Sequence, residues 1–373
     1  MRNILLKIGT IIFNIVYFFV KLLPTKKQVA FMSRQANKPS QDFELLGKEL
    51  EKDYKVIYLC KTLDGKEKAK PKQVFLYGLH MIKQLYYLAT SKVIILDTYI
   101  PTVSILKHKK KTTIIQMWHS NGTMKKFGYT AIKKAEGNNE EIASLLKMHQ
   151  NYSIILCSGA AYVDHLAKGF NVDPSIIKIY SLPRIDLLTD KKYEKETKKK
   201  ILKEYPVLKN GKQNIVYAPT FRKDESEFAK NVNKLIDSID LEKYNVIIKL
   251  HPLSKVKIKN SKVIVDKKFS TFDILFITDK LISDYSCVIY EAGVRNIPLY
   301  FYPYDLNKYE TVRGLALDYN ELPGFTSEDP KVLANSLSKK YDMQYLKKFI
   351  KKYVENQKDC TKKIANLVKE NME

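Results

Sequence analysis

Cysteine is scarce: only Cys60, Cys157, Cys287 and Cys360 occur in 373 residues, far apart and with no C-x-x-C pair. That argues against a zinc site and a disulfide scaffold, and for a reducing compartment. Glycine and proline are also sparse, at 13 each, and no stretch is long and polar enough to stay unfolded. There is no P-loop, no G-x-G-x-x-G, no H-E-x-x-H and no D-x-D pair near a strand end. These absences weaken kinase, dehydrogenase and metalloenzyme readings, so neither a metal nor a cofactor is expected. Acidic side chains are in deficit, 40 against 65 lysines and arginines, and the net charge is +25. A surplus of that size implies an anionic partner: nucleic acid, an anionic membrane surface or a phosphorylated substrate. The lysine runs, such as Lys109 to Lys111 and Lys198 to Lys200, are scattered, which a generally solvated basic surface would also explain.

The length suits two domains of ordinary size. From Ile4 to Leu23 the chain reads ILLKIGTIIFNIVYFFVKLL, about 30 Å if helical and long enough to span a bilayer. It lacks the small-residue cleavage site of a secretory signal. Lys7, Asn14 and Lys21 recur every seven residues, with Asn3 and Thr10 nearby, and Ile11 and Phe18 interrupt the stripe. An aligned polar stripe favours an amphipathic helix lying in the membrane interface. Its lysines would meet headgroups while Phe13, Val16 and Phe19 sink into the acyl boundary. A membrane-spanning helix and a buried helix of the first domain are the alternatives.

Beyond the anchor, short β-rich runs alternate with helix-period segments. Strands are expected at Val29–Ser33, Val56–Cys60, Val93–Asp97, Thr112–Trp118, Ile154–Ser158 and Ile177–Ser181. The charged stretch from Asp190 to Lys200 interrupts this pattern. It resumes at Asn214–Thr220, Asn245–Leu250, Val263–Val265, Lys280–Ser283 and Pro298–Tyr302. Continuous apolar runs such as VIILD predict parallel strands buried on both faces. The fold class is therefore α/β, with two Rossmann-like domains and an N-terminal amphipathic helix. The expected boundaries are an anchor over 1–27, α/β domains over 28–190 and 191–340, and C-terminal helices over 341–373. No internal repeat is visible.

The chemistry-bearing residues gather where apolar strands end. TTIIQMW runs into His119, Ser120, Asn121, Gly122 and Thr123, followed by Lys125 and Lys126. A histidine beyond a buried strand sits where open α/β sheets capture ligands, and imidazole takes a proton near neutral pH. A lone histidine is more often structural. His251 and Pro252 follow IIKLHP. In LISDYSCVIYEAG a strand ends at Ser283 and Asp284, and a helix is expected to begin near Ser286 and offer unpaired N–H groups to a phosphate. Asp284 or Ser286 could equally be a helix cap. Glu291, in that helix, suits a ribose hydroxyl or is a surface charge. IVYAPTFR ends at Pro219 and Thr220, with Arg222 able to grip a phosphate bidentately. YETVRGLALDY carries Arg313. Both arginines could be ordinary surface charges.

In order, W-H-x-x-G-x-x-K (Trp118–Lys125), L-P-R-x-D (Leu182–Asp186), Y-A-P-T-F-R (Tyr217–Arg222), K-L-H-P (Lys249–Pro252), S-D-Y-S (Ser283–Ser286) and Y-x-x-V-R-G-L (Tyr309–Leu315) resemble the CDP-glycerol glycerophosphotransferases of Gram-positive wall teichoic acid synthesis. The resemblance implies a fold of the GT-B type with its two domains facing a cleft, a monotopic N-terminal region and a place on the cytoplasmic leaflet. It implies transfer of glycerol phosphate from CDP-glycerol to a hydroxyl of a lipid-linked acceptor, with release of CMP. By motif, the base falls on His119, and contacts to the diphosphate fall on His251, Arg222, Ser286 and the helix after it. Arg313 becomes a further phosphate contact, and Asp97, closing VIILD, an acid near the acceptor. Asn121, Gly122, Thr123, Lys125 and Arg184 join the substrate-binding set with Pro219, Thr220, Ser283, Asp284 and Glu291.

Polymerising members carry His-Gly-Thr-Pro after the tryptophan. This chain has His119-Ser120-Asn121-Gly122-Thr123, a form that resembles the primase branch, as does IYEAG around Glu291. The primase adds the first glycerol phosphate to an undecaprenyl-diphosphate-linked disaccharide. Cys287 replaces a serine often found after S-D-Y-S. Three rivals stay open: a polymerising glycerol- or ribitol-phosphate transferase, a GT-B glycosyltransferase, and a basic non-catalytic module for nucleic acid or membranes. Polar residues collected at strand ends favour the enzyme, with no nucleic-acid partner.

Overall fold

The computed structural model describes residues 2–62 and 71–373. The chain forms two compact units. Unit 1 comprises Met1–Ser120, Lys126–Asp186 and Glu355–Glu373; unit 2 comprises Asn121–Lys125 and Leu187–Val354. The sequence suggested a boundary near 190 and one set of C-terminal helices. Contacts instead divide the chain after Asp186 and return the last helix, Cys360–Glu370, to unit 1. Asp186 explains that return, since its two carboxylate oxygens accept the Cys360 and Thr361 N–H groups at 2.8 Å each.

In unit 1, six parallel strands form one sheet: β1 (Lys26–Ser33), β2 (Lys55–Cys60), β3 (Ser91–Leu96), β4 (Thr113–Gln116), β5 (Ile154–Cys157) and β6 (Ile177–Ile179), in the order β2-β1-β3-β4-β5-β6. The strands are apolar on both faces, and Val29, Phe31, Val93, Ile95 and Ile115 are fully buried. One face packs on Phe43, Leu46 and Leu50 of α2 (Gln41–Leu50) and on Ile364 and Val368 of the last helix. Ser40 starts α2 by accepting the Phe43 N–H. β4 stops two residues short of expectation because Trp118 lies in the left-handed region, φ 61°, which ends any ladder.

The N-terminal segment is helical, α1 (Arg2–Val20), with its polarity reversed from expectation. The C-terminal part of its polar stripe faces the protein, while Lys7 is exposed: Asn14 donates to the Ile105 carbonyl at 3.0 Å, Tyr17 meets His108 at 3.0 Å, and Lys21 donates to the Lys107 carbonyl at 3.1 Å. Ile8, Ile11, Ile15, Phe18 and Phe19 are exposed. α3 (Pro71–Thr90) packs beside α1 and exposes Val74, Phe75, Leu79 and Ile82. No helix among the described residues is long and apolar enough to cross a membrane.

Unit 2 carries a second parallel sheet of β7 (Gln213–Ala218), β8 (Tyr244–Ile248), β9 (Ile264–Val265), β10 (Lys280–Ser283), β11 (Leu299–Phe301) and β12 (Phe325–Thr326), in the order β12-β11-β10-β7-β8-β9. Its core joins Tyr217, Ile248, Ile282 and Tyr300 to Phe228, Val232 and Leu235 of helix Glu225–Ser238. The charged run after Asp190 is not a break. It is helix Lys191–Glu204, capped where Asp190 Oδ1 accepts the Lys192 and Tyr193 N–H groups. β12 went unpredicted because two residues show no periodicity.

Each sheet reverses its direction of growth once. β1 lies between β2 and β3, and β7 lies between β8 and β10. Ligands of open α/β sheets bind beyond the strand carboxyl ends at such reversals. The residues there are Ser33, Asp97 and Thr98 in unit 1, and Pro219, Thr220, Ser283 and Asp284 in unit 2.

Candidate functional site

In unit 1 the site is built on His119. Its Nδ1 lies 2.9 Å from the Asp97 carbonyl oxygen. A carbonyl can only accept, so Nδ1 carries the proton and Nε2 keeps its lone pair. The residue has an exposed surface, while dense protein surrounds the rest of the ring. That desolvation lowers the imidazole pKa below its usual value; the Asp97 carbonyl opposes the shift and the Arg184 charge adds to it. The His119 imidazole is therefore neutral at pH 7, with Nε2 as its acceptor nitrogen. Its ring also stacks near Trp118, with centroids 4.2 Å apart.

Arg184 braces the same turn. Its backbone N–H and Nε each donate to the buried Asp42 carboxylate at 2.8 Å, and its Nη2 reaches both that carboxylate and the His119 carbonyl, the latter at 3.3 Å. The L-P-R-x-D block is thus a brace plus the Asp186 tether. Asp97 is 1% exposed, and neither carboxylate oxygen makes a hydrogen bond of ordinary geometry among the described residues. Burial pushes its pKa up to about 6, although the Ser33 and Thr98 hydroxyls hold it down in part.

Two residues after His119 the loop becomes part of unit 2. Asn121 Nδ2 donates to Glu291 Oε1 at 3.1 Å, and Tyr290 Oη donates to the Thr123 carbonyl at 2.9 Å. Gly122 lies on the Tyr290 ring, where a Cβ would come within 2.3 Å. Lys125 bridges Leu315, and its Nζ stands 5.9 Å from the Tyr309 ring centre. The half-buried Lys125 ammonium makes no ion pair among the described residues. Desolvation lowers its pKa; Cys287 and Asp284 act against that, while Arg222 and Arg313 add to it. These five side chains thus share one electrostatic neighbourhood.

Arg222 is engaged differently from expectation. Its Nε and Nη2 edge grips Asp305 at 2.7 and 3.0 Å, the edge that the sequence reserved for a phosphate. Nη2 also donates to Asp284 at 3.0 Å and Nη1 to the Thr220 carbonyl at 2.7 Å. The guanidinium lies over Tyr309 and Tyr285, 4.8 and 5.0 Å from their ring centres. Asp284, fully buried, accepts the Thr220 N–H at 2.8 Å, so it fixes the Pro219-Thr220 turn and caps no helix. Ser283 Oγ donates to the Ala218 carbonyl at 2.9 Å. The following helix, Val288–Val294, begins two residues later than expected; Ser286 Oγ accepts the Val288 N–H. Arg313 closes helix Leu306–Val312.

His251 stands in an exposed loop three residues past β8, its ring against Phe221 and its Nδ1 accepting the Leu253 N–H at 3.2 Å. Lys249 of the same block is buried, paired with Asp266 at 2.6 Å. Sequence reasoning missed Asp305, although it follows β11 much as the chosen residues follow their strands. It also missed Asp42, which lies in the first turn of α2 and far in sequence from Arg184.

The chain from residue 15 to 370 matches the family model described as CDP-Glycerol:Poly(glycerophosphate) glycerophosphotransferase. It is 34% identical over 280 residues to the teichoic acid glycerol-phosphate primase of Bacillus subtilis, covering 73% of this chain and 71% of that protein. It is 30% identical over 293 residues to the teichoic acid ribitol-phosphate primase of Bacillus spizizenii, covering 75% of each. The solved structure of the wall teichoic acid polymerase TagF superposes with a TM-score of 0.74 at 20% identity, over 100% of this chain and 97% of that one, a likeness of fold. Two parallel α/β sheets, the six ordered motifs and the family match across nearly the whole chain lead to one conclusion: this protein belongs to the CDP-glycerol glycerophosphotransferase family, enzymes of teichoic acid synthesis.

Proposed function

We propose that this enzyme is a teichoic acid primase, transferring one glycerol phosphate from CDP-glycerol to a hydroxyl of an undecaprenyl-diphosphate-linked disaccharide. The observation that carries the reading is His119, neutral and exposed, with Nδ1–H held by the Asp97 carbonyl and Nε2 left as acceptor. Nε2 takes the proton of the acceptor hydroxyl as that oxygen bonds to the glycerol-bearing phosphorus. The bond from this phosphorus to the bridging oxygen breaks, and CMP leaves with the electron pair. Lys125 and Arg313 supply positive charge for the diphosphate, and Arg222 acts mainly by keeping Asp284 and Asp305 neutralised around them. Glu291, steadied by Asn121, suits a ribose hydroxyl. His251, exposed in the loop after β8, would close on the leaving phosphate.

The enzyme works on the cytoplasmic face of the cell membrane as a monotopic protein. The reversed polarity of α1 supports this, because its apolar side chains and those of α3 are the ones left exposed. Beside them a cavity of about 530 Å³, lined by Ile15, Phe18, Phe19 and Ile105, is rimmed by Lys21, Lys107 and Lys147, a surface suited to anionic lipid.

Incubation with CDP-glycerol, CDP-ribitol and a synthetic lipid-linked disaccharide, followed by mass measurement, tests the reading. One added glycerol phosphate and release of CMP are expected. Chains of many units would identify a polymerase. Use of CDP-ribitol would favour the ribitol enzyme, a second reading motivated by the 30% identity to a ribitol-phosphate primase. Loss of transfer in His119→Ala with CDP-glycerol binding retained is expected; near-normal transfer would sink the base assignment.

A further inference from the structure

Beyond β3 and β4 the backbone ladder ends, yet the two segments stay in step. Met117 N–H donates to the Leu96 carbonyl at 2.7 Å, and His119 Nδ1–H to the Asp97 carbonyl at 2.9 Å. The next carbonyl, that of Thr98, accepts from Gln116 Nε2 at 3.1 Å. Gln116 Oε1 in turn accepts the Trp118 N–H at 3.0 Å. One fully buried carboxamide therefore holds the carbonyl just after the one His119 uses and the N–H just before His119 itself. Its orientation is determined by its partners, because a flipped amide would set oxygen against carbonyl and NH₂ against N–H.

The segment it holds is under strain. Trp118 takes φ 61°, a left-handed conformation that a bulky side chain holds only where its surroundings impose it. Phe127 and Phe170 pack on the indole, with centroids 4.8 and 5.1 Å away. Ring packing resists motion of the indole but does not hold the peptide N–H of Trp118, whose acceptor among the described residues is the Gln116 oxygen. The left-handed turn at Trp118 is what directs the next side chain, His119, back onto β3.

We propose that Gln116 is a positioning residue that sets the tautomer and direction of His119, by tying the Trp118 turn to the segment that supplies the Asp97 carbonyl. This deepens the reading of His119 as base and touches no substrate. Without the tie, the imidazole loses its fixed acceptor, and the Nε2–H tautomer, which cannot take a proton at that nitrogen, becomes populated.

The test uses the full chain with ¹⁵N-labelled histidine, His119→Ala serving to assign the signals. Long-range nitrogen–proton spectra at pH 7.5 should show His119 of the wild type protonated at Nδ1 only. Gln116→Met, which keeps the volume, should show both tautomers. It should also lower kcat for CDP-glycerol transfer by roughly 10–100-fold, the range for residues that orient a reactive imidazole, with KM within about twofold. Gln116→Glu provides the second arm, and covers the case in which the methionine variant does not fold. Its carboxylate repels the Thr98 carbonyl, but its neutral acid can donate there, so its activity should rise relative to wild type as pH falls. A pure Nδ1–H tautomer in Gln116→Met with kcat within twofold would overturn the proposal, as would a Gln116→Glu profile parallel to wild type. Wild type inactive toward CDP-glycerol would defeat the proposed function instead, and the spectra would still decide the role of Gln116.

Discussion

Replacing Gly122 with alanine puts a methyl group 2.3, 2.4 and 2.6 Å from three atoms of the Tyr290 ring. Carbon atoms at rest in a core stand about 3.5–4.0 Å apart, so something has to shift by about 1 Å. Tyr290 cannot yield easily. It is fully buried, its centroid lies 5.3 Å from that of Tyr353 and 6.2 Å from that of Phe349, and its hydroxyl is bonded to the Thr123 carbonyl. The loop must therefore lift, which endangers that bond and the Asn121–Glu291 bond. Overpacking costs about 1–3 kcal/mol, and each buried group left unpaired about 1–3 kcal/mol more. With partial relaxation the sum is roughly 2–4 kcal/mol, or a fall of about 5–10 °C in the Tm of unit 2. Differential scanning calorimetry of Gly122→Ala, Tyr290→Leu and the double variant measures this directly. In the Tyr290→Leu background the alanine should cost less than about 1 kcal/mol, a coupling that neighbours in contact produce. A Tm within 1 °C of wild type for Gly122→Ala, or additive losses in the double variant, would refute the close-contact argument.

Three further outcomes are expected. His149 is 3% exposed, and burial lowers its pKa to about 3, so below pH 6.5 the unfolded chain binds a proton that the folded chain refuses. Stability should fall from pH 6.5 toward pH 3, by up to roughly 4–5 kcal/mol from this group; denaturant titrations of His149→Asn, which tolerates the same φ of 64°, should lose that part of the slope, and curves parallel to wild type would contradict it. Lys249→Met should destabilise unit 2 by about 3–5 kcal/mol in urea titration, because Asp266 is left as a buried unpaired charge, and Lys249→Met/Asp266→Leu should recover much of it. Asp186→Ala should expose the Cys360–Glu370 helix to hydrogen exchange at least tenfold faster, since two N–H groups lose their acceptor, while exchange in helix Glu225–Ser238 stays unchanged.

Much of the site was legible because strand ends announce themselves. A run such as TTIIQMW followed by small polar residues marks where a buried strand meets solvent, and Pro219, Thr220, Ser283 and Asp284 did fall at the reversal point of their sheet. What those side chains touch was not legible. Arg222 reads as a free fork for phosphate, but Asp305, 83 residues away, holds it. Asp186 reads as a motif acid near the site, but it holds a helix 174 residues on. Gln116 reads as one more strand residue, because nothing local signals that its amide spans two segments.

The reversal of α1 shows the same division most clearly. Sequence periodicity determined that a polar stripe and an apolar face exist on this helix, because 3.6 residues per turn is a local property of the chain. Which side meets the protein was decided by the carbonyls of Ile105, at the end of helix Pro101–Ile105, and of Lys107 just beyond it, which are distant in sequence and need donors. The sequence alone determined the parallel α/β sheets, the strand ends where the candidate site residues lie and the family, since each is written in runs of neighbouring residues. The tertiary structure decided the partners of Arg184, Arg222 and Asp186, the proton-bearing nitrogen of His119 and the face that α1 leaves exposed, since each depends on groups brought together only by folding.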